Sequence, residues 1–383
     1  MKRVGVAVVG ILLSVGVAWG ADAIKIGYLA NLTGDGATWG THERDGALLA
    51  AEEINAAGGV LGRPLEVICY DVKGRPEDAI NAARRLIFED KVVVIGGTNY
   101  SGLNLATGPI AEEGKVPQIG SFATNPTVTV DPVTDKARPY SFRICFTDPY
   151  QGKVMAEYFY NKLGIRKAAI IHDVASDYSE GLTQFFIKTF SELGGKIVGN
   201  YGFSAGDVDF RAQLTNAKDS GAEGLAMPLL YKEMGLIMKQ AAELGWKPAF
   251  IGGDGYSPNI GEIAGPAADG SYWVYHLAPE DPILVPLAEK IEKRFGAKPT
   301  EIVNTVAAYD MVYWMADALK RAGKAEGPAV RDALEETKDL KLLHFTLTLD
   351  KATHNPLNKP AAILIFKEGA AKYLETYQPQ SSF

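Results

Sequence analysis

The chain has 383 residues, of which 47% are hydrophobic and 22% charged, and it carries a formal net charge of −7. That length suits two domains of ordinary size. An acidic balance with no basic run excludes nucleic acid as a partner, because its binding rests on clustered Lys and Arg. The five histidines, His42, His172, His276, His344 and His354, show no metal-ligand spacing.

Residues 1–23 read as a secretory signal. Lys2 and Arg3 lead an almost wholly apolar segment 4–17, and small residues place cleavage before Ala21 or before Ile24. The apolar core is too short to serve as a membrane anchor. No cysteine lies near the cleavage region, so a free periplasmic protein is expected rather than a lipid-anchored one.

Beyond the signal the pattern alternates. Residues 24–30 predict a buried strand, 31–40 a polar loop, and 41–57 a helix stopped by Gly58-Gly59. A strand over 65–70 and a helix over 76–90 follow, the helix with proline in its first turn. Strands over 92–95 and 116–119 flank a helix over 102–113. The alternation predicts an α/β fold, a doubly wound parallel sheet with helices on both faces.

The stretch GGTNYSGLNLATGPIAEEGKVPQIGSFATNP, residues 96–126, carries the first functional signal. Its two strands end in polar loops at one sheet edge, where ligands of open α/β sheets bind. Helix N-termini there present unpaired N–H groups and partial positive charge, which suits a carboxylate. Ser101, Thr124 and nearby amides would hydrogen-bond it. The same residue types also cap helices, so both readings stand on this stretch alone.

A turn-rich segment, 124–140, leads to a strand over 141–146 that leaves the first lobe. The second βα series comprises helix 149–163, strand 168–172, helix 179–193, strand 196–201, helix 208–220, strand 224–228, helix 231–245 and strand 249–252. A strand over 270–276 follows, then helices over 283–295, 302–322 and 328–336, and strands over 342–348 and 361–366. Periodicity supports one crossing between lobes, near residues 143–149. Cys69 and Cys145 sit in apolar strands; isolated thiols and a disulfide are both compatible with the sequence.

Catalytic signatures are missing. There is no GxxxxGK[ST] loop, no GxGxxG opening a helix, no nucleophile elbow at Asp177–Gly181, and no HExxH. His172 and Asp173 are adjacent on a strand and point to opposite faces, so they read as a strand end with a capping aspartate. No enzyme activity and no cofactor are expected.

Across nearly its whole mature length the chain resembles the leucine/isoleucine/valine-type periplasmic binding proteins of ABC importers. The resemblance lies in IKIGYLANLTGDGATWG, GAxxAxxxINAAGGVLGRPLEVICYD, VVVIGG with the Ser101 turn, IIHDVASDYSEG, DFRAQL, LLYKEMGLIMKQAAELGW, GGDGYSPNI and AAYDMVYWMADAL, in that order. It implies a type I fold with two lobes joined by three crossings, a ligand in the cleft, and hinge closure. The implied lobes are residues 24–144 plus 278–352 and residues 145–277 plus 353–383. The implied partners are a small-molecule ligand and the membrane permease and ATPase subunits of the importer.

Carried over by resemblance, the ligand contacts fall on Trp39, Tyr100, Ser101, Phe122, Ala123, Thr124, Tyr178, Tyr231 and Asp254. The ligand carboxylate falls to Ser101 and Thr124, and its ammonium to Asp254. A Gly-Asp-Gly turn accounts for Asp254 equally well. Trp39, Tyr100 and Phe122 are bulkier than the family usually has. The expected ligand is therefore an amino acid or related carboxylate, the alternative being a sensor of an amide or aromatic carboxylate lacking an amine.

Overall fold

The computed structural model describes residues 22–379 apart from 205 and 358. The signal segment lies outside the described residues, except for Asp22 and Ala23. Two sheets organise the chain. The first contains β1 (Ile24–Ala30), β2 (Leu65–Asp71), β3 (Ile95–Gly97), β4 (Gln118–Gly120) and β5 (Ser141–Arg143), all parallel, in the order β2-β1-β3-β4-β5. Helices α1 (Ala37–Ala56), α2 (Pro76–Arg84) and α3 (Ser101–Gly114) make its crossovers.

The second sheet contains β6 (Lys167–Asp173), β7 (Lys196–Phe203), β8 (Gly224–Met227), β9 (Ala249–Gly252), β10 (Tyr272–Tyr275), β11 (Ala361–Lys367) and β12 (Ala370–Tyr377). Its order is β12-β11-β10-β9-β8-β6-β7, and β11 and β12 run antiparallel. Its helices are α4 (Asp148–Glu157), α5 (Asp177–Glu192), α6 (Arg211–Asp219), α7 (Tyr231–Glu243) and the short α8 (Ile260–Ala264). After β10 the chain returns to the first sheet through α9 (Val285–Phe295), α10 (Ile302–Ala322) and α11 (Gly327–Glu335).

Helix α10 is buried on nearly every side, which explains why its apolar residues run without a clean stripe. It lies so close to α1 that a Cβ on Gly46 would stand 2.2 Å from the Thr305 carbonyl oxygen. Glycine there is what lets the two backbones meet.

Three expectations need correction. The third strand begins at Ile95, because Val94 only leads in, its carbonyl accepting from the Gly27 N–H at 2.9 Å. Residues 342–348 are not one strand: Leu340–Lys341 and Thr346–Leu347 form a short hairpin, turned by the Leu342 N–H to Phe345 carbonyl bond of 3.0 Å. The edge strand β12 was not foreseen, since its outer face is exposed and its pattern correspondingly polar. Cys69 and Cys145 are both free thiols, each pushed up to about 12 chiefly by burial.

Candidate ligand-binding site

The carboxyl ends of β3 and β4 open toward the second sheet. Gly97 turns the chain with φ +85°, and a Cβ there would fall 2.0 Å from the Leu29 carbonyl oxygen. Only glycine combines that angle with that approach. Helix α3 then starts at Ser101, and Tyr100 before it gives no side-chain cap. The first-turn amides of Ser101, Gly102 and Leu103 therefore have no intrahelical acceptor. The Ser101 hydroxyl oxygen accepts from the Asn125 N–H at 3.2 Å, which leaves its own proton free to donate.

The facing wall comes from the second sheet. Asp254 follows β9, and its side chain is only 3% exposed. Its Oδ2 accepts from His276 Nε2 at 2.7 Å, and its backbone N–H donates to Gln151 Oε1 at 3.2 Å. His276 stacks on Phe146, with centroids 3.7 Å apart, and meets Phe122 edge-on at 4.8 Å. Burial pushes its pKa down to about 4, against the pull of Asp254, so the ring is neutral near pH 7. The Tyr178 hydroxyl accepts from the Gly255 N–H at 3.2 Å. Burial first, then the Asp254 charge, raises that hydroxyl well above the usual tyrosine range.

Between the walls lies a cavity of about 470 Å³. Six of the nine expected residues line it: Trp39, Tyr100, Ser101, Phe122, Tyr178 and Asp254. Tyr231 lines an adjoining cavity instead, with its ring edge-on to Trp39 at 5.1 Å. Ala123 and Thr124 are fully buried and are not among the residues lining this cavity. The Ala123 carbonyl accepts from Arg143 Nη1 at 2.7 Å, and the Thr124 carbonyl accepts from the Asp148 N–H at 2.9 Å.

The lobes touch across the cleft. Asn125 Nδ2 donates to the Asp177 carbonyl at 2.6 Å, and Lys232 Nζ reaches Asp35 at 3.1 Å. Behind Asp254 sits Asp148, fully buried, with Oδ1 accepting from Gln151 Nε2 at 2.9 Å and Oδ2 without a partner. Burial is the main cause pushing its pKa up to about 8. Asn304 also lines the cavity, its Nδ2 donating to the buried Glu43 at 3.2 Å.

Sequence reasoning missed His276, Gln151, Asp148 and Asn304. One signal was available for the histidine. Strands β9 and β10 are parallel neighbours with Gly252 opposite Trp273, so Asp254 and His276 leave the same sheet edge side by side. The His172–Asp173 reading as a strand end fits the geometry: Asp173 Oδ1 accepts from the Ala175 N–H at 2.9 Å, a local turn.

A family model described as periplasmic binding protein matches residues 23–370. A Leu/Ile/Val-binding protein homologue of Brucella suis is 31% identical over 351 residues, 91% of either chain. Among solved structures, a leucine-binding protein of Thermotoga maritima gives a TM-score of 0.85 at 32% identity, covering 93% of this chain and 99% of the other. A branched-chain amino acid transporter substrate-binding protein of Streptococcus pneumoniae, in complex with isoleucine, gives 0.81 at 31% identity, covering 92% and 99%.

Proposed function

The chain belongs to the periplasmic binding protein family and is a substrate-binding protein of the branched-chain amino acid transporter type, and on that premise we propose that it captures an α-amino acid in the interlobe cleft and delivers it to the permease and ATPase subunits of an ABC importer. It does this in the periplasm, binding without turnover. We place lobe one at residues 24–144 plus 278–352 and lobe two at residues 145–277 plus 353–383.

One observation carries the ligand class. Asp254 is a buried carboxylate whose partner in ion-pair range, His276, burial keeps neutral. A buried carboxylate with no charged partner in ion-pair range, Lys359 acting on it only from farther off, is costly, so the site favours a ligand that brings a cation. The ligand's ammonium goes to Asp254. Its carboxylate goes to the open first turn of α3 and the Ser101 hydroxyl. Trp39, Phe122, Tyr178 and Leu230 supply the apolar walls. Each lobe satisfies one pole, so the ligand favours closure by its differential affinity for the closed state.

The test is mass spectrometry of the compound that co-purifies with the protein, followed by calorimetry. A charge-assisted hydrogen bond is worth roughly 1.5–3 kcal/mol, so Asp254→Ala is expected to weaken an amino-acid ligand at least tenfold. Parent-like affinity in the variant, or a tightly held aromatic acid or amide without an amine, refutes the reading.

A further inference from the structure

The cleft does not end at Tyr178. A second cavity of about 360 Å³ adjoins the first, and the two share Trp39, Tyr100, Tyr178 and Leu230 as wall residues. The first cavity alone, about 470 Å³, corresponds to about 16 waters at ~30 Å³ each, and the second extends the space past the shared aromatic wall. The space suits a longer ligand.

Charge decides what its far end carries. The lining of the first cavity includes three carboxylates, Asp173, Asp177 and Asp254, and no Lys, Arg or His. In the second cavity the cations are already engaged: Lys232 holds Asp35 at 3.1 Å, and Lys73 and Arg75 both hold Asp78. Glu233, in the first turn of α7, also lines this cavity, and among the described residues no cation lies in ion-pair range of it. Burial pushes its carboxyl above the usual range, with only its own N–H and Lys232 as the main opposing influences. Glu233 and Tyr100 line this cavity together.

We propose that the ligand is a basic α-amino acid, with its α-ammonium on Asp254 and its side chain passing between Trp39, Tyr100 and Tyr178 to place a second cation on Glu233. This rests on the amino-acid reading above and narrows it to side chains ending in an ammonium or guanidinium. The aromatic gate suits that path, since a methylene chain packs on ring faces and a cation is tolerated beside them.

Calorimetry of the mature protein with L-lysine, L-arginine, L-norleucine and L-leucine tests it, alongside Glu233→Gln and Asp254→Asn. Norleucine keeps lysine's carbon chain and removes only the terminal amine. Lysine or arginine is expected to bind at least tenfold tighter than norleucine, and Glu233→Gln to erase most of that gap while leaving norleucine unchanged. Asp254→Asn is expected to weaken all four. Norleucine or leucine binding as tightly as lysine, or a gap that survives Glu233→Gln, overturns the proposal while the amino-acid reading stands, provided Asp254→Asn still weakens binding. No binding of any of the four by the parent overturns the proposal, and a co-purifying compound without an α-amino group then defeats the amino-acid reading as well.

Discussion

Asp148→Asn isolates one buried proton. Asp148 is fully buried, with one oxygen bonded to Gln151 and the other without a partner. Burial is the largest cause raising it from 3.8 to about 8; the Thr124 hydroxyl opposes it most, the Asp254 charge adds to the rise, and Gln151 and then Arg143 oppose it less. A folded-state pKa above the unfolded value gives stability that is fully present below pH 3.8 and lost as pH rises through about 8. The amide variant copies the protonated carboxyl and has no such loss. At 1.36 kcal/mol per unit, the span between 3.8 and about 8 caps the difference at about 6 kcal/mol, and nearly half of it accrues between pH 5 and pH 7. With ~2.1 cal/mol/K per residue over ~360 residues, 1 kcal/mol corresponds to about 1.3 °C. The variant's melting temperature, followed by circular dichroism, should therefore gain about 3–4 °C on the parent from pH 5 to pH 7 and level off above pH 8. Glu43 and Glu301, raised to about 7 and about 8 mainly by burial, titrate identically in both proteins and cancel. Parallel melting curves across that range would show that Asp148 is ionised in the folded protein and refute the reasoning.

Tyr178→Phe leaves the buried Gly255 N–H without its acceptor. We expect a loss of about 1–3 kcal/mol in urea unfolding, together with weaker ligand binding; unchanged unfolding would mean the N–H finds another partner. The Lys232–Asp35 pair across the cleft has side chains 46% and 78% exposed. Lys232→Ala should therefore change ligand affinity by less than about fivefold, and less at high salt than at low; a larger, salt-insensitive effect in calorimetry would contradict a surface pair.

The fold was legible because a buried parallel strand and an amphipathic helix write different periods into the sequence, and here they alternate for most of its length. The pattern weakened where packing is two-sided or absent. Helix α10 hides a stripe inside a uniformly apolar run, and β12 exposes one face at a sheet edge. The site was legible only as far as chain-local rules reach. The place of Ser101 on the cavity wall was readable, because a strand, a glycine turn and a helix start must leave open amides. The backbone path around Thr124 was not, because Arg143 and Asp148, distant in the chain, hold the carbonyls of Ala123 and Thr124.

The pair that gives the site its charge logic shows how such contacts become readable. In a parallel sheet the carboxyl ends of neighbouring strands leave the same edge, so strand order converts sequence distance into spatial proximity. Once β9 and β10 are placed side by side, Asp254 and His276 must emerge together, and the apolar residues flanking His276 already argue for a neutral ring. Strand order therefore predicts the carboxylate's neighbour, and burial predicts that this neighbour brings no charge. The proposed preference for a cationic ligand rests on those two steps. Contacts across the cleft, such as Asn125 to Asp177, obey no such rule. They are set by the angle between the lobes, and in the proposed binding mode that angle is what a ligand bridging Ser101 and Asp254 changes.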